Sequence, residues 1–332
     1  MVTEFQAHRN EPVLVTGGGG FIGGWLVKSL RDQGYTDVRV VDVKPKSEWY
    51  QVFEEFDSKV MDLKSPDSAK SAISGRKYVY NLAADMGGMG FIETHKAECM
   101  LSVLINTNLL EAARKEGTER FFFASSACVY NGDKQNVTDV TALREGDAYP
   151  ALPEDGYGWE KLFSERMTRH FQEDFGIQGR IARYHNVYGP EGTWEGGREK
   201  APAALSRKMA EAVISGQHEI SIWGDGEQTR SFTYVDDTVY GTQLLFWSDF
   251  SEPINLGSDE LVSINQLVDI LEEITGIQLK RSYELNAPKG VRGRNSDNTL
   301  IQSELNWAPS ISLRDGMEKT YRWVYDQVAK VG

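Results

Sequence analysis

Val13-Leu14-Val15-Thr16-Gly17-Gly18-Gly19-Gly20-Phe21-Ile22-Gly23 is the stretch on which the fold turns. Three apolar residues and a threonine run straight into four glycines, and an amphipathic stretch, Phe21–Gln33, follows. The glycines satisfy G-x-G-x-x-G through Gly18, Gly20 and Gly23, and G-x-x-G-x-x-G through Gly17, Gly20 and Gly23. That spacing permits a tight strand-to-helix turn and lets the backbone, with Phe21 and Ile22 at the helix start, approach a pyrophosphate. The phosphate charge then faces the positive end of the helix. A flexible loop is also glycine-rich, and only the flanking strand and helix favour the more specific reading.

Working outward, short apolar runs alternate with longer amphipathic ones. Pro12–Thr16, Asp37–Asp42, Tyr78–Ala83, Arg120–Ser125 and Gln178–Tyr184 read as buried strands. Phe21–Gln33, Pro66–Ile73, Glu98–Lys115 and Tyr157–Phe175 read as helices. Such alternation implies right-handed crossovers, hence an α/β fold with a Rossmann-type, doubly wound parallel sheet. After about Tyr188 the texture changes to a loop rich in Gly, Glu and aromatics, Gly189–Glu199, and then a helix, Ala201–Ser215. We expect a dinucleotide-binding domain over residues 1–186, with a return segment near 231–250, and a smaller, discontinuous substrate-binding region over 187–332. The cleft between them is the default ligand site.

Asp42 ends the second strand, 19 residues past Gly23. A carboxylate there accepts from a ribose 2′-hydroxyl and repels a 2′-phosphate, which favours NAD over NADP as cofactor. A strand-end turn residue is the plainer alternative. Asp62, in Met61-Asp62-Leu63, is a second, weaker candidate at the adenine end.

Bulk properties narrow the partners. The 332 residues carry a net charge of −13, which argues against nucleic acid, whose phosphates are bound by surplus Lys and Arg. No apolar run approaches the ~20 residues that cross a bilayer, so no membrane association is expected. Met1 to Glu11 is polar and lacks the apolar stretch of a secretory signal. Cys99 and Cys128 are the only cysteines, too few for a disulfide framework, and no Cys/His cluster has zinc spacing. A reduced, cytoplasmic setting and a metal-free site follow.

Tyr157 and Lys161, in Tyr-Gly-Trp-Glu-Lys, stand four apart at the start of a helix and share a face. A phenol with a pKa of about 10 is a poor base at neutral pH, and a nearby ammonium is expected to lower that value. With the glycine turn upstream, the pair resembles the extended short-chain dehydrogenase/reductase family over nearly the whole chain. That resemblance implies that Tyr157 deprotonates a sugar hydroxyl, that Lys161 supports it and reaches the cofactor ribose, and that Ser126 completes the site. In Ser125-Ser126-Ala127-Cys128-Val129-Tyr130 the family's dehydratases carry Asp-Glu where Ala127 and Cys128 stand here. A buried Cys is often no more than a small apolar filler.

Four further stretches, Asn81–Gly90, Gly196–Pro202, Trp223–Phe232 and Gly290–Asn298, resemble the GDP-mannose 3,5-epimerases of that family. The resemblance implies a nucleotide-diphosphate sugar, GDP-mannose, as substrate, Cys128 and Lys200 as an acid/base pair, and a homodimer through the helices near Glu98–Lys115 and Tyr157–Phe175. It implies Lys208, Arg230 and Arg294 as cations for the diphosphate, with Gly87, Asn186, Glu199, Ala201, Gln228 and Thr229 among the substrate contacts. The chain departs from the family's pattern at Tyr130-Asn131-Gly132 and through Asp133–Pro150. His185, in Tyr-His-Asn-Val-Tyr-Gly, reads as a structural histidine behind Asn186.

Overall fold

The computed structural model describes residues 7–288 and 290–331. The first six residues of the polar start lie outside the described residues.

Val, Ile, Phe and Tyr dominate the early apolar runs, and these form a seven-stranded sheet, parallel throughout. Its spatial order is Ile254–Leu256, Gln178–Tyr184, Arg120–Ser126, Tyr78–Asn81, Val13–Thr16, Val38–Asp42 and Asp57–Val60. The central strands Val13–Thr16 and Tyr78–Asn81 are buried at every residue, as a sheet covered on both faces requires. One cluster, with Leu14, Val79, Phe121 and Ile181, packs under Pro66–Ile73 and Ser102–Glu116. A larger one, with Val13, Tyr80, Phe122 and Ala182, packs under Phe21–Asp32 and Val235–Trp247. This is the doubly wound, Rossmann-type sheet of an α/β protein. The chain runs outward from Val13–Thr16 through two strands, then crosses back to Tyr78–Asn81. Ligands of such sheets bind at that reversal, at the carboxyl ends of the strands.

Two details differ from the sequence expectation. The stretch read as one helix, Glu98–Lys115, is two, Lys96–Met100 and Ser102–Glu116. At the break Ser102 is buried and its hydroxyl accepts from the Asp85 amide at 2.9 Å, so the chain bends toward the loop before it. Ile254–Leu256, within a region otherwise outside the sheet, pairs with Ala182–Tyr184 as the seventh strand.

Apart from Val235–Trp247 and Ile254–Leu256, the residues beyond Tyr188 form smaller elements outside the main sheet. The helix Ala201–Ser215 packs on Leu313–Val331, and Glu219–Trp223 pairs in parallel with Lys280–Glu284. A three-stranded ribbon places Thr229–Ser231 between Leu261–Ser263 and Gly293–Arg294, with Arg294 opposite Arg230. Strands this short carry no periodicity of their own, so the sequence pattern does not resolve them.

Candidate functional site

The glycine turn is shaped by contacts that tolerate no side chain. Gly17 adopts φ +70°, and a β-carbon on it would lie 2.9 Å from the Ala83 amide nitrogen. A β-carbon on Gly23 would lie 2.1 Å from the Gly17 carbonyl oxygen, so helix and loop touch backbone to backbone. The helix Phe21–Asp32 begins at Gly20 with no capping side chain and no acidic residue in its first turn. Its first N–H groups are thus left for an anion. Phe21 lies against Gly189 and Gly192, and Ile22 packs on the large core cluster.

Asp42 is buried at the end of its strand, accepting from the amides of Gly19 and Lys44, each at 3.0 Å. Each carboxylate oxygen retains a second acceptor direction. Asp62 is exposed and accepts from the Lys64 amide at 2.9 Å in a turn. The cradle and the carboxylate fit a dinucleotide.

At the same edge, strand Arg120–Ser126 ends in a short 3₁₀ turn, Ala127–Val129, capped by Ser126, whose hydroxyl accepts from the Cys128 amide at 3.2 Å. The helix Tyr157–Phe175 rests directly on this turn. Tyr157 is buried with Phe91, Ile92, Cys99 and Cys128, and its phenol turns to Ser126. Lys161 is buried too, its Nζ 5.5 Å from the centre of the Tyr157 ring and 3.6 Å from Glu160 Oε2.

Here the structure corrects the sequence reading. The phenol is held well above its ordinary value, first by burial and then by Cys128 and Glu160, with Ser126 opposing. Burial strips a phenolate of solvent, and Lys161 has the Glu160 carboxyl at its side. A lowered phenol is therefore not a property of the fold alone.

Lys200 is the N-cap of the helix Ala201–Ser215, with Ala201 beginning the helix and Pro202 in its first turn. Its loop is pressed onto the one that holds Gly87. The Gly88 amide donates to the Arg198 carbonyl at 2.9 Å, and a β-carbon on Gly88 would lie 2.4 Å from the Glu199 carbonyl oxygen. Gly87 is similarly close to Phe91, over whose ring Arg198 stacks at 3.7 Å. The Lys200 amine is pushed down by burial, with Cys128 opposing and Arg294 adding. Cys128 itself is pushed up to about 11, by burial first and then by Glu154, while Arg294 pulls it down. The structure thus brings Tyr157, Lys161, Ser126, Cys128 and Lys200 to one place from three segments.

The remaining residues sort by where their polar atoms go. Arg294 is buried, donating to Gln135 Oε1 at 2.7 Å and Glu154 Oε1 at 2.5 Å, with its Nη1 3.6 Å from Cys128 Sγ. It lies at the thiol. Arg230 is buried and donates to the Thr229 and Val291 carbonyls. Lys208 donates to the Ser221 carbonyl at 2.5 Å, and Thr229 to the Thr138 carbonyl. Glu199 accepts from the Gly197 amide and from Arg207. Asn186, at φ 40°, donates to the Ser231 carbonyl. Gln228 is buried with its Oε1 unpartnered among the described residues. His185 is fully buried against Asn255, its pKa down at about 3 by burial, which makes it a neutral structural group.

Sequence reasoning missed Glu154 and Gln135. Glu154 stands three residues before Tyr157, and nothing in its spacing marks it. Among the described residues no group of three or more His, Cys, Asp or Glu could hold a metal ion, and no helix is long and apolar enough to cross a membrane.

The chain belongs to the NAD dependent epimerase/dehydratase family, whose model matches residues 13–257. It is an NAD-dependent enzyme of the epimerase type. It is 45% identical over 319 residues to a GDP-mannose 3,5-epimerase of Oryza sativa subsp. japonica, covering 96% of this chain and 82% of that one. It is 43% identical to the GDP-mannose 3,5-epimerase of Arabidopsis thaliana, covering 98% and 85%. Among solved structures, a UDP-glucose 4-epimerase of Thermotoga maritima with UDP-glucose superposes with a TM-score of 0.85 at 27% identity, covering 96% of this chain and 99% of that one.

Proposed function

We propose that this enzyme inverts C3 and C5 of GDP-mannose, giving GDP-L-galactose, GDP-L-gulose or both. The observation that carries this reading is the Cys128–Lys200 pair beside Tyr157, in a chain whose 43–45% identical relatives bear that name. A dehydratase of the family needs carboxyls where Ala127 and Cys128 stand, and an epimerase working at C4 alone needs no such pair.

NAD, when bound, would supply a reversible hydride acceptor at C4, which would let the sugar pass through a 4-ketone. Gly17, Gly20, Phe21, Ile22 and Gly23 would seat its pyrophosphate and Asp42 a ribose, with Asp62 toward the adenine end. Tyr157 accepts the C4 hydroxyl proton, with Ser126 as its hydrogen-bond partner and Lys161 countering the phenolate. The ketone acidifies the protons on C3 and C5. Inversion then needs a base on one face of the ring and an acid on the other, each tuned near the working pH. Cys128 and Lys200 would fill those places as neutral groups, since burial favours the un-ionised thiol, which can give a proton, and lowers the amine, which can take one. Arg230 and Lys208, with Gln228, Thr229, Asn186, Glu199, Ala201 and Gly87, would line the substrate side, and Arg294 would act beside the thiol.

We further propose a homodimer. On the helix Tyr157–Phe175, Trp159 and Phe163 share a face and are 43% and 53% exposed, and Leu104 on the neighbouring helix is 41% exposed. A second copy of this surface is the occupant that would cover them. Both cysteines are free thiols, in keeping with a cytoplasmic setting.

The test is incubation with GDP-mannose in D₂O. Deuterium at C3 and C5 by NMR is expected, and Cys128→Ala should remove it while leaving NAD binding intact. Exchange at neither carbon would overturn the reading, and full turnover by Cys128→Ala would return Cys128 to the role of core filler.

A further inference from the structure

The roles given above leave Glu154 unused, although it lies against the thiol. Its carboxylate is nearly buried, its Oε1 accepts from Arg294 at 2.5 Å, and its amide donates to the Cys128 carbonyl at 2.9 Å. The Cys128 thiol is itself hydrogen-bonded to the Glu154 carboxyl, whose Oε2 finds no other partner among the described residues. Arg294 Nη1 reaches Cys128 Sγ at 3.6 Å, so one guanidinium stands between a carboxylate and a thiol.

We propose that Glu154 is a positioning residue that, by engaging Arg294, keeps Cys128 in the thiol form and so makes Cys128 the proton donor and Lys200 the acceptor in each inversion. This rests on the epimerase reading above. A buried guanidinium alone would favour a thiolate, as cations beside cysteines do. Glu154 cancels that charge and adds its own repulsion. The other groups facing Cys128 are Lys200, Arg230, Tyr157 and the Ser126 hydroxyl. Among them the Lys200 amine is pushed below its ordinary value by burial, as a proton acceptor requires.

In each inversion the neutral Lys200 amine takes the ring C–H proton, and that bond's electron pair passes into the enolate of the ketone. The carbon is then reprotonated from the Cys128 S–H on the opposite face, leaving an ammonium and a thiolate. A proton moving from the ammonium to the thiolate, directly or through water, restores the pair.

The test is Glu154→Gln in the NAD-loaded protein, which keeps an acceptor for Arg294 and removes the charge. Ultraviolet thiolate absorbance is titrated against pH, with Cys128→Ala in the same background subtracted. The midpoint should move acidward by about one unit or more, whereas Glu154→Asp, which keeps the charge, should leave it near the wild-type position. The alkaline limb of C5 deuterium exchange should move with it. A titration that stays in place, or exchange reduced equally at every pH, would overturn the proposal. If Glu154→Gln does not fold, Arg294→Gln should move the titration the other way, and no movement would overturn it equally. The thiol titration uses no sugar, so it decides the role of Glu154 even where GDP-mannose is not turned over.

Discussion

Gly158 is packed so closely on Cys128 that a β-carbon there would lie 2.3 Å from the Cys128 carbonyl oxygen. The helix that presents Tyr157 and Lys161 is therefore seated on the turn that presents the thiol with nothing between them. On the function proposed above, glycine at 158 would let two chemical steps, hydroxyl deprotonation and carbon acid/base work, share one small volume.

Gly158→Ala must push helix and turn apart. Positioning errors of this kind are costly, on the order of a hundredfold in rate for ~1 Å. We expect turnover to fall at least about tenfold while circular dichroism shows a folded protein. Unchanged turnover would show that the spacing of Tyr157 and Cys128 does not matter to the reaction.

Lys200→Arg should abolish C3 and C5 exchange, because a guanidinium stays protonated at any working pH. Burial lowers the Lys200 amine, so in the wild type the acidic limb of the rate profile should lie below the ordinary lysine value. As pH falls through that lowered value, amine becomes ammonium and exchange is lost. The rate of deuterium incorporation against pH reads this, and an acidic limb at the ordinary lysine value would contradict the burial argument.

Gly23→Ala places a methyl 2.1 Å from the Gly17 carbonyl oxygen, backbone that cannot yield cheaply. Overpacking of this kind costs about 1–3 kcal/mol, hence a loss of NAD affinity of about five- to 150-fold where the strain falls on the bound loop. Titration calorimetry on protein freed of cofactor checks it. Equal affinity would mean that the turn does not carry the dinucleotide.

His185, fully buried, has its folded pKa depressed to about 3 from an ordinary 6.5. Above 6.5 both folded and unfolded states are neutral and pH has no leverage through this group. Below 6.5 the unfolded state binds the proton that the folded state refuses, so stability falls by about 1.4 kcal/mol per pH unit down to the folded value. His185→Gln should flatten urea-measured stability between pH 6.5 and 5 relative to wild type. Parallel curves would show that His185 is not held neutral by the fold.

The sheet and cofactor loop were legible because their determinants are local. Val13–Thr16 followed by Gly17–Gly23 specifies strand, turn and helix within one stretch, and Asp42 sits at a distance fixed by one crossover. Tyr157 and Lys161 were legible for the same reason, through helical spacing. Cys128 and Lys200 stood out only through resemblance, since neither has a neighbour in sequence that explains it.

What only the tertiary structure decided is which charges face which. Arg294 reads from the sequence as a cation for a diphosphate, and the pairing of Gly293–Arg294 with Thr229–Ser231 also carries it to Cys128 and Glu154, segments far apart along the chain. The elevated Tyr157 phenol, the lowered Lys200 amine and the thiol near 11 all arise from burial. Burial belongs to packing between distant segments, so no reading of local sequence could supply it, whereas the turn and the helix face follow from backbone geometry within a few residues.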